Sequence, residues 1–136
     1  MDKVTPIDKE YIYEGRVIIS QTDLDGVITF ANRKFCEVSG YEIDELIGSN
    51  HNIIRHPDMP RAAFEKMWDT IPSGQTWTGL VKNLRKDGLY YWVDTEVLAV
   101  RDENNNITGY IAARNPASRK NINESATLYK KMIETE

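Results

Sequence analysis

Two short runs of β-branched residues lie near the start of the chain, on either side of Asp25-Gly26. The first run is RVIISQTD and the second is LDGVITF. Apolar runs split by Asp-Gly are typical of a β-hairpin, because glycine readily adopts the positive φ that a tight turn needs. The pattern therefore predicts two antiparallel strands joined at Gly26.

The spacing of apolar residues then changes from that of a strand to that of a helix. In ANRKFCEVSGY, Phe35, Val38 and Tyr41 recur at helical intervals, and Gly40 predicts the end of this helix. The next segment, EIDELIG, predicts one or two further helical turns that end at Gly48. The following loop, HNIIRHPDMP, is rich in proline and polar residues, which argues against a core element.

A longer helix is predicted from Pro60, because proline is favoured at the first helical position. Phe64, Met67, Trp68 and Ile71 follow the i, i+3, i+4, i+7 rule for one face of a helix. The sequence PSG predicts its end.

The second half of the chain predicts three strands and a final helix. TWTGLVKNLRK and LYYWVDTEVLAV flank Asp87-Gly88 as a second hairpin, and ITGYIAAR follows the turn DENNN. An amphipathic helix is predicted at the end, with one apolar face formed by Ile122, Ala126, Tyr129 and Ile133. This order predicts an α+β domain with a five-stranded antiparallel sheet, short helices on one face and a pocket between them.

Composition narrows the function classes. The chain has 136 residues and a net charge of −4, and its basic residues are scattered, so we expect one domain and no nucleic-acid partner. The single cysteine, Cys36, excludes an internal disulfide and indicates a reducing compartment. No apolar run approaches the ~18 residues of a membrane span. We therefore expect a cytoplasmic protein that meets a membrane only through a partner.

The loop HNIIRHPDMP contains both histidines of the chain and allows three interpretations. A metal site is disfavoured, because His51 and His56 lack the i, i+4 spacing of helical zinc ligands. Catalysis is disfavoured, because no nucleophile or phosphate-loop motif accompanies them. Asp58 is predicted to be the N-cap of the helix at Pro60. The third interpretation is a cofactor clamp, in which Arg55 supplies planar donors suited to phosphate or ring carbonyls.

The residues resemble a known family. TDLDGVITFANRKFCEVSGYEIDELIG resembles the opening half of PAS sensor domains. HNIIRHPDMPRAAFEKMW and the later G..W.G.VKN.RK.G..YWV are similar to the flavin-binding PAS domain of bacterial aerotaxis receptors (Aer type). The similarity covers roughly residues 20–115. It implies the PAS fold and a non-covalent FAD, which serves as a redox reporter for a chemotaxis signalling module.

The resemblance also implies roles for particular residues. Arg55, His56 and Asp58 match the loop that is associated with FAD retention. Trp68 is expected to contact the ring, although core packing would also explain it. Asn83 is expected at the pyrimidine edge, with a solvent-facing position as the alternative. The full set of candidate FAD-binding residues is Asn32, His51, Asn52, Arg55, His56, Asp58, Phe64, Trp68, Trp77 and Asn83. Asn32 is equally well explained as a helix N-cap.

Other members of the PAS class are less well matched. In LOV photoreceptors a cysteine forms an adduct with the flavin, and the alignment places His51 at that position. Haem-binding PAS domains use a histidine of the long helix, which PRAAFEKMWDTIPSG lacks. A dinucleotide fingerprint is also missing, so an enzyme is not expected. The alternative that remains is a cofactor-free, or haem-binding, PAS module for dimerisation or docking.

We expect three segments. They are an N-terminal cap at 1–17, the PAS sensory domain at 18–116 and a C-terminal helix or linker at 117–136. The expected partner is a chemotaxis module of the HAMP/methyl-accepting type, in cis or in trans, with a possible homodimer.

Overall fold

A five-stranded antiparallel sheet with the order β2-β1-β5-β4-β3 forms the centre of the fold. The computed structural model describes residues 3–136, so Met1 and Asp2 of the predicted cap segment lie outside the described residues. The strands are β1 Ile18–Thr22, β2 Ile28–Ala31, β3 Trp77–Leu84, β4 Tyr90–Arg101 and β5 Ile107–Asn115. Both predicted hairpins are present, and Gly26 and Gly88 adopt φ of +83° and +95° at their turns. The predicted α+β class and five-stranded antiparallel sheet are confirmed.

The helices lie where the spacing of apolar residues predicts them. They are α1 Arg33–Ser39, α2 Ile43–Leu46, α3 Arg61–Thr70 and α4 Arg119–Glu134, with short 3-10 helices at His51–Ile54 and Ile71–Ser73. Gly40 ends α1 in the left-handed conformation, with φ of +80°. The loop HNIIRHPDMP is more buried than its composition suggests, because Ile54, His56 and Met59 all lie in the interior.

The start of α3 differs from the prediction. Pro60 has an extended ψ of 143° and is the N-cap rather than the first helical residue. Asp58 does not cap the helix, because its carboxylate binds Lys82 Nζ at 2.8 Å. The carboxylate of Glu136 instead accepts the backbone N–H of Arg61, at 2.9 Å. A residue 75 positions away therefore supplies the capping group.

The core lies between the sheet and α1, α2 and the two 3-10 helices. Phe35, Val38 and Leu46 are fully enclosed there, together with Ile18 of β1 and Val93 of β4. Helix α3 has no buried residue. Its predicted apolar stripe faces an open cavity between the helix and the sheet instead of the core.

Helix α4 packs against β3, the edge strand of the sheet. Tyr129 Oη donates a hydrogen bond to the Leu80 carbonyl at 2.7 Å, and its ring stacks on Trp92. Of the predicted apolar face, Ile122 is buried and Ile133 is half-buried, but Ala126 is exposed. The buried face is therefore rotated slightly from the predicted one. Within the described chain, no helix is long and apolar enough to cross a bilayer.

Residues 3–17, here called the N-terminal arm, lie against the second hairpin. Ile7 N donates to the Gly88 carbonyl at 2.8 Å, and Tyr11 N donates to the Tyr90 carbonyl at 2.7 Å. Buried Tyr13 places its hydroxyl 3.0 Å from the Arg114 carbonyl. Glu10 forms a two-pronged ion pair with Arg119, the first residue of α4, at 2.8 and 2.9 Å. The arm therefore contacts both the end of β5 and the start of α4.

Candidate functional site

A cavity of about 890 Å³ lies between the sheet and α3. Small-molecule sites usually occupy about 300–1,000 Å³ and combine an apolar wall with a few polar groups. The cavity walls in this domain likewise combine apolar surface with a few polar groups. Phe64, Met67, Trp68 and Ile71 line one side, and strand residues including Val81, Val97 and Ala112 line the other. The stripe that the sequence predicted on α3 is therefore the cavity wall.

Seven of the ten candidate residues lie at this cavity: His51, Asn52, Arg55, Phe64, Trp68, Trp77 and Asn83. Asn83 is only 4% exposed, so the predicted solvent-facing alternative is wrong for this residue. Trp77 lines the cavity, whereas Trp92 stacks on Tyr129 of α4. The structure brings these side chains together, and their contact with a cofactor stays a prediction.

The other three candidates lie outside the cavity wall. Asn32 caps α1, since its Oδ1 accepts the N–H of Phe35 at 3.1 Å and its Nδ2 donates to the Val17 carbonyl at 3.0 Å. His56 is buried, and its Nδ1 accepts the N–H of Asp58 at 3.0 Å. Because these polar groups are bonded within the protein, direct contact with a ligand in this cavity is not expected of Asn32, His56 or Asp58.

Both histidines are held neutral at physiological pH. Burial, strengthened by the charge of Arg114, lowers the pKa of His51 to about 3. Burial, followed by the charge of Lys82, lowers the pKa of His56 to about 4 despite the opposing effect of Asp58. Both rings therefore present a lone pair as well as an N–H group.

A polar cluster that the sequence analysis missed lies in the sheet wall of the cavity. Arg114 Nη2 is 2.7 Å from His51 Nε2, and Arg114 Nη1 donates to Ser20 Oγ at 3.1 Å. Ser20 Oγ also lies 3.2 Å from His51 Nε2. Because the guanidinium can only donate, Nε2 accepts and the proton of the neutral imidazole is on Nδ1.

Two buried hydroxyls near this cluster have no hydrogen-bond partner in the described structure. Thr95 Oγ1 belongs to the residue that pairs with Arg114 across β4 and β5, and Thr95 lines the cavity. The second is Tyr91 Oη, which is fully buried and does not line the cavity. An unbonded buried hydroxyl costs about 1–3 kcal/mol, so such groups indicate a place where a ligand or ordered water supplies the missing partner.

The mouth of the cavity carries two exposed arginines. The Arg55 guanidinium lies over the Phe64 ring, 4.5 Å from its centroid, and Arg61 lies one helical turn before Phe64. Trp68 is 41% exposed and meets Tyr110 edge-to-face at 5.9 Å between ring centroids. The mouth therefore offers aromatic surface together with charges of both signs, since the exposed carboxylates of Asp25, Glu65 and Asp69 also line the cavity.

Two further features of residues 3–136 concern metal and thiol chemistry. These residues contain no cluster of three or more histidine, cysteine, aspartate or glutamate side chains that could hold a metal ion. Cys36 lies on α1 and does not contribute to the cavity wall.

Comparison with known proteins identifies the fold class. A sequence model of the PAS fold matches residues 28–114, and this chain belongs to the PAS fold family. The aerotaxis receptor of Escherichia coli (strain K12) is 45% identical over 117 residues, which is 86% of this chain and 23% of that receptor. The chain thus spans about a quarter of that relative, and the predicted resemblance is confirmed.

Solved structures agree with this assignment. The light-state structure of the blue-light photoreceptor Aureochrome1 LOV superposes with a TM-score of 0.71 at 27% identity, covering 79% of this chain and 90% of that one. A second light-oxygen-voltage domain, from the study "Flavin Analogue Sheds Light on Light-Oxygen-Voltage Domain Mechanism", gives a TM-score of 0.68 at 27% identity. The superposition covers 88% of this chain and 86% of that one.

Proposed function

We propose that this PAS domain binds FAD non-covalently in its cavity and serves as a sensor of redox state in energy taxis. The observation that carries the proposal is the cavity itself, which combines aromatic walls with a buried amide at Asn83, an unbonded hydroxyl at Thr95 and the buried guanidinium of Arg114. A flavin ring is flat and apolar on its faces and has a polar edge of carbonyl and N–H groups. The donor set therefore fits a flavin.

The similar proteins support the same ligand class. The named relative is an aerotaxis receptor, and one of the similar solved structures concerns a flavin analogue. In this chain, Trp77 and Phe64 would contact the ring and Asn83 would bond its pyrimidine edge. A bound flavin would supply reversible electron uptake, and the protein residues would bind it, orient it and exclude water.

Similarity to an aerotaxis receptor favours FAD over FMN in this proposal, and the mouth of the cavity suits the phosphate groups of either. FAD carries a pyrophosphate and an adenosine beyond the ring, and a ring held in the cavity would leave these groups near its mouth. Arg55 and Arg61 line the cavity with exposed guanidinium groups that suit phosphate oxygens, and that of Arg61 also pairs with the Glu136 carboxylate at 4.0 Å. Their positions support a ligand with phosphates outside the buried part of the site.

The signal would pass to a partner through the segments that flank the sheet. Helix α4 and the N-terminal arm are joined by the ion pair between Arg119 and Glu10, and Tyr13 of the arm bonds the Arg114 carbonyl of β5. We propose a chemotaxis module of the HAMP/methyl-accepting type, in cis or in trans, as the receiver, in a cytoplasmic setting where the domain approaches a membrane only through that partner. A homodimer is compatible with this arrangement.

The absorbance spectrum of the freshly purified protein tests the proposal. FAD gives bands in the blue that bleach on reduction with dithionite, and chromatography after heat release distinguishes FAD from FMN. FMN as the released cofactor would overturn the choice of FAD but not of flavin. A Soret band would identify haem instead. Protein that is folded, colourless and unable to bind added flavin would favour a cofactor-free docking module.

A further inference from the structure

Arg114 is a buried cation without a counter-charge in the described structure. Arg114 is only 5% exposed. It takes part in none of the ion pairs found in residues 3–136. Burial lowers the pKa of its guanidinium to about 10, which still leaves it charged at neutral pH. Arginine is almost never buried without a paired anion, because desolvating a charge is costly.

The groups that hold Arg114 do not neutralise it. Ser20 Oγ and His51 Nε2 accept from Nη1 and Nη2, and both are neutral acceptors. His51 cannot acquire a charge near neutral pH, because burial and Arg114 itself keep its pKa at about 3. The ring of Phe35 lies 5.4 Å from the guanidinium carbon and offers only a weak electrostatic contact.

We propose that Arg114, positioned by Ser20 and His51, is the subsite that binds a negatively charged edge of the ligand in the cavity. This inference rests on the proposed function. When the bound ring takes two electrons and one proton from a reductant, the ring gains one net negative charge at neutral pH. Arg114 and the free hydroxyl of Thr95, its partner across β4 and β5, supply the compensating charge and a donor.

A charge-selective subsite has a thermodynamic consequence. A site that stabilises the reduced ring more than the oxidised ring binds reduced flavin more tightly than oxidised flavin. It therefore also raises the reduction potential of the bound flavin. For a two-electron couple, a tenfold difference in affinity corresponds to about 30 mV. Arg114 would therefore bias the site toward the reduced form, whereas an exposed arginine, whose charge is screened by water, would not.

The test measures the dissociation constants of FAD in both redox states, with dithionite as the reductant, together with the reduction potential of the bound flavin. Arg114→Met removes the charge and Arg114→Lys keeps it. Arg33→Met, at an exposed residue of α1 outside the cavity wall, is the matched control. We expect the preference of the wild type for reduced FAD to fall at least tenfold in Arg114→Met, with a potential lower by about 30 mV or more. Arg114→Lys and the control should retain most of the preference.

Each outcome has a distinct meaning. Equal preference for the reduced form in the wild type and Arg114→Met would overturn the subsite while leaving flavin binding intact. A wild type that binds FAD in neither state would overturn both proposals. If Arg114→Met fails to fold, Ser20→Ala provides the second variant, because it removes one of the two groups that orient the guanidinium. An unchanged preference for reduced FAD in Ser20→Ala would then argue against a positioned charge.

Discussion

Arg114 and His51 face each other in the wall of the cavity, with Nη2 of the arginine 2.7 Å from Nε2 of the histidine. The contact joins β5 to the 3-10 helix that opens the loop HNIIRHPDMP. It requires an uncharged imidazole, because a protonated Nε2 would present an N–H group to a donor. The protonation state of the His51 ring therefore determines whether the cluster of Arg114, His51 and Ser20 stays intact.

The first prediction concerns acid. The pKa of His51 is about 3 and that of His56 about 4 in the folded protein, below the ordinary value of 6.5. Between about pH 6.5 and pH 4 the unfolded chain binds protons that the folded chain rejects, so the free energy of unfolding falls as the pH falls. Each histidine contributes up to about 1.4 kcal/mol per pH unit in this window.

Urea unfolding at several pH values measures this slope. His51→Gln should reduce the slope by the contribution of about one bound proton, or about 1.4 kcal/mol per pH unit. Glutamine keeps an acceptor for Arg114 but does not titrate. A slope that is the same in the wild type and in His51→Gln would show that His51 is already protonated or is not enclosed in the folded protein.

The second prediction concerns cofactor retention by Arg55. Loss of a bond to a charged donor costs about 1.5–3 kcal/mol, or roughly ten- to a hundredfold in affinity. Arg55→Ala should therefore purify with much less flavin while its melting temperature changes little, because the side chain is exposed at the cavity mouth. Arg33→Ala is the control for the loss of an exposed arginine. Full flavin content in Arg55→Ala would contradict a role for Arg55 in binding.

The third prediction separates the two carboxylates near the start of α3. Glu136 caps the helix, so Glu136→Ala, which removes the accepting oxygens, should destabilise the protein by about 0.5–2 kcal/mol. Asp58 forms an ion pair with Lys82 in which the Asp58 side chain is 63% exposed, so Asp58→Asn should cost less, within about 1 kcal/mol. Thermal unfolding of the two variants measures the difference. The reverse order would restore Asp58 as the cap.

The fourth prediction concerns signal output through Asn83. An amide carries a donor and an acceptor on one rotatable group, so it can exchange one contact for the other when the bonding of the ring changes. Amide hydrogen exchange over residues 119–136 should differ between the oxidised and reduced protein. Asn83→Ala should keep some flavin and reduce the difference. Identical exchange in the two redox states of the wild type would exclude this route.

The fifth prediction is that blue light produces no flavin adduct. The only thiol of the chain, Cys36, lies on α1 outside the cavity wall, and burial raises its pKa. Illumination without an electron donor should therefore leave no long-lived adduct in the absorbance spectrum. Detection of such a species, and its loss in Cys36→Ala, would mean that the thiol reaches the ring.

The fold could be predicted from the sequence to the extent that it depends on local rules. Asp25-Gly26 and Asp87-Gly88 specify their turns without help from distant residues. Local rules failed at α3, because the group that caps it comes from Glu136. They were also insufficient for Trp68, since an apolar stripe has the same period whether it faces a packed core or a cavity.

The sequence predicted many of the cavity residues on the loop HNIIRHPDMP and on α3, but few of those on the sheet. Arg114 was missed, although a signal for it exists in the strand ITGYIAAR. Side chains alternate in a strand, so Tyr110, Ala112 and Arg114 share one face. A charged residue on the buried face of a strand is rare, so its presence there indicates a functional or structural role. The absence of a carboxylate beside it in the described structure depends on tertiary packing and could not be predicted from the sequence.

The bond between the Tyr13 hydroxyl and the Arg114 carbonyl has a consequence for the order of folding. The two residues are 101 positions apart, so the bond closes a loop that includes most of the chain. Contacts of such long range form late, because the entropy of closing the loop opposes them until the intervening strands have paired. During synthesis, the N-terminal arm would wait unpaired until the second hairpin emerges from the ribosome, and Tyr13 would wait longer, until β5 emerges. The arm would therefore be among the last parts of the domain to reach its native position.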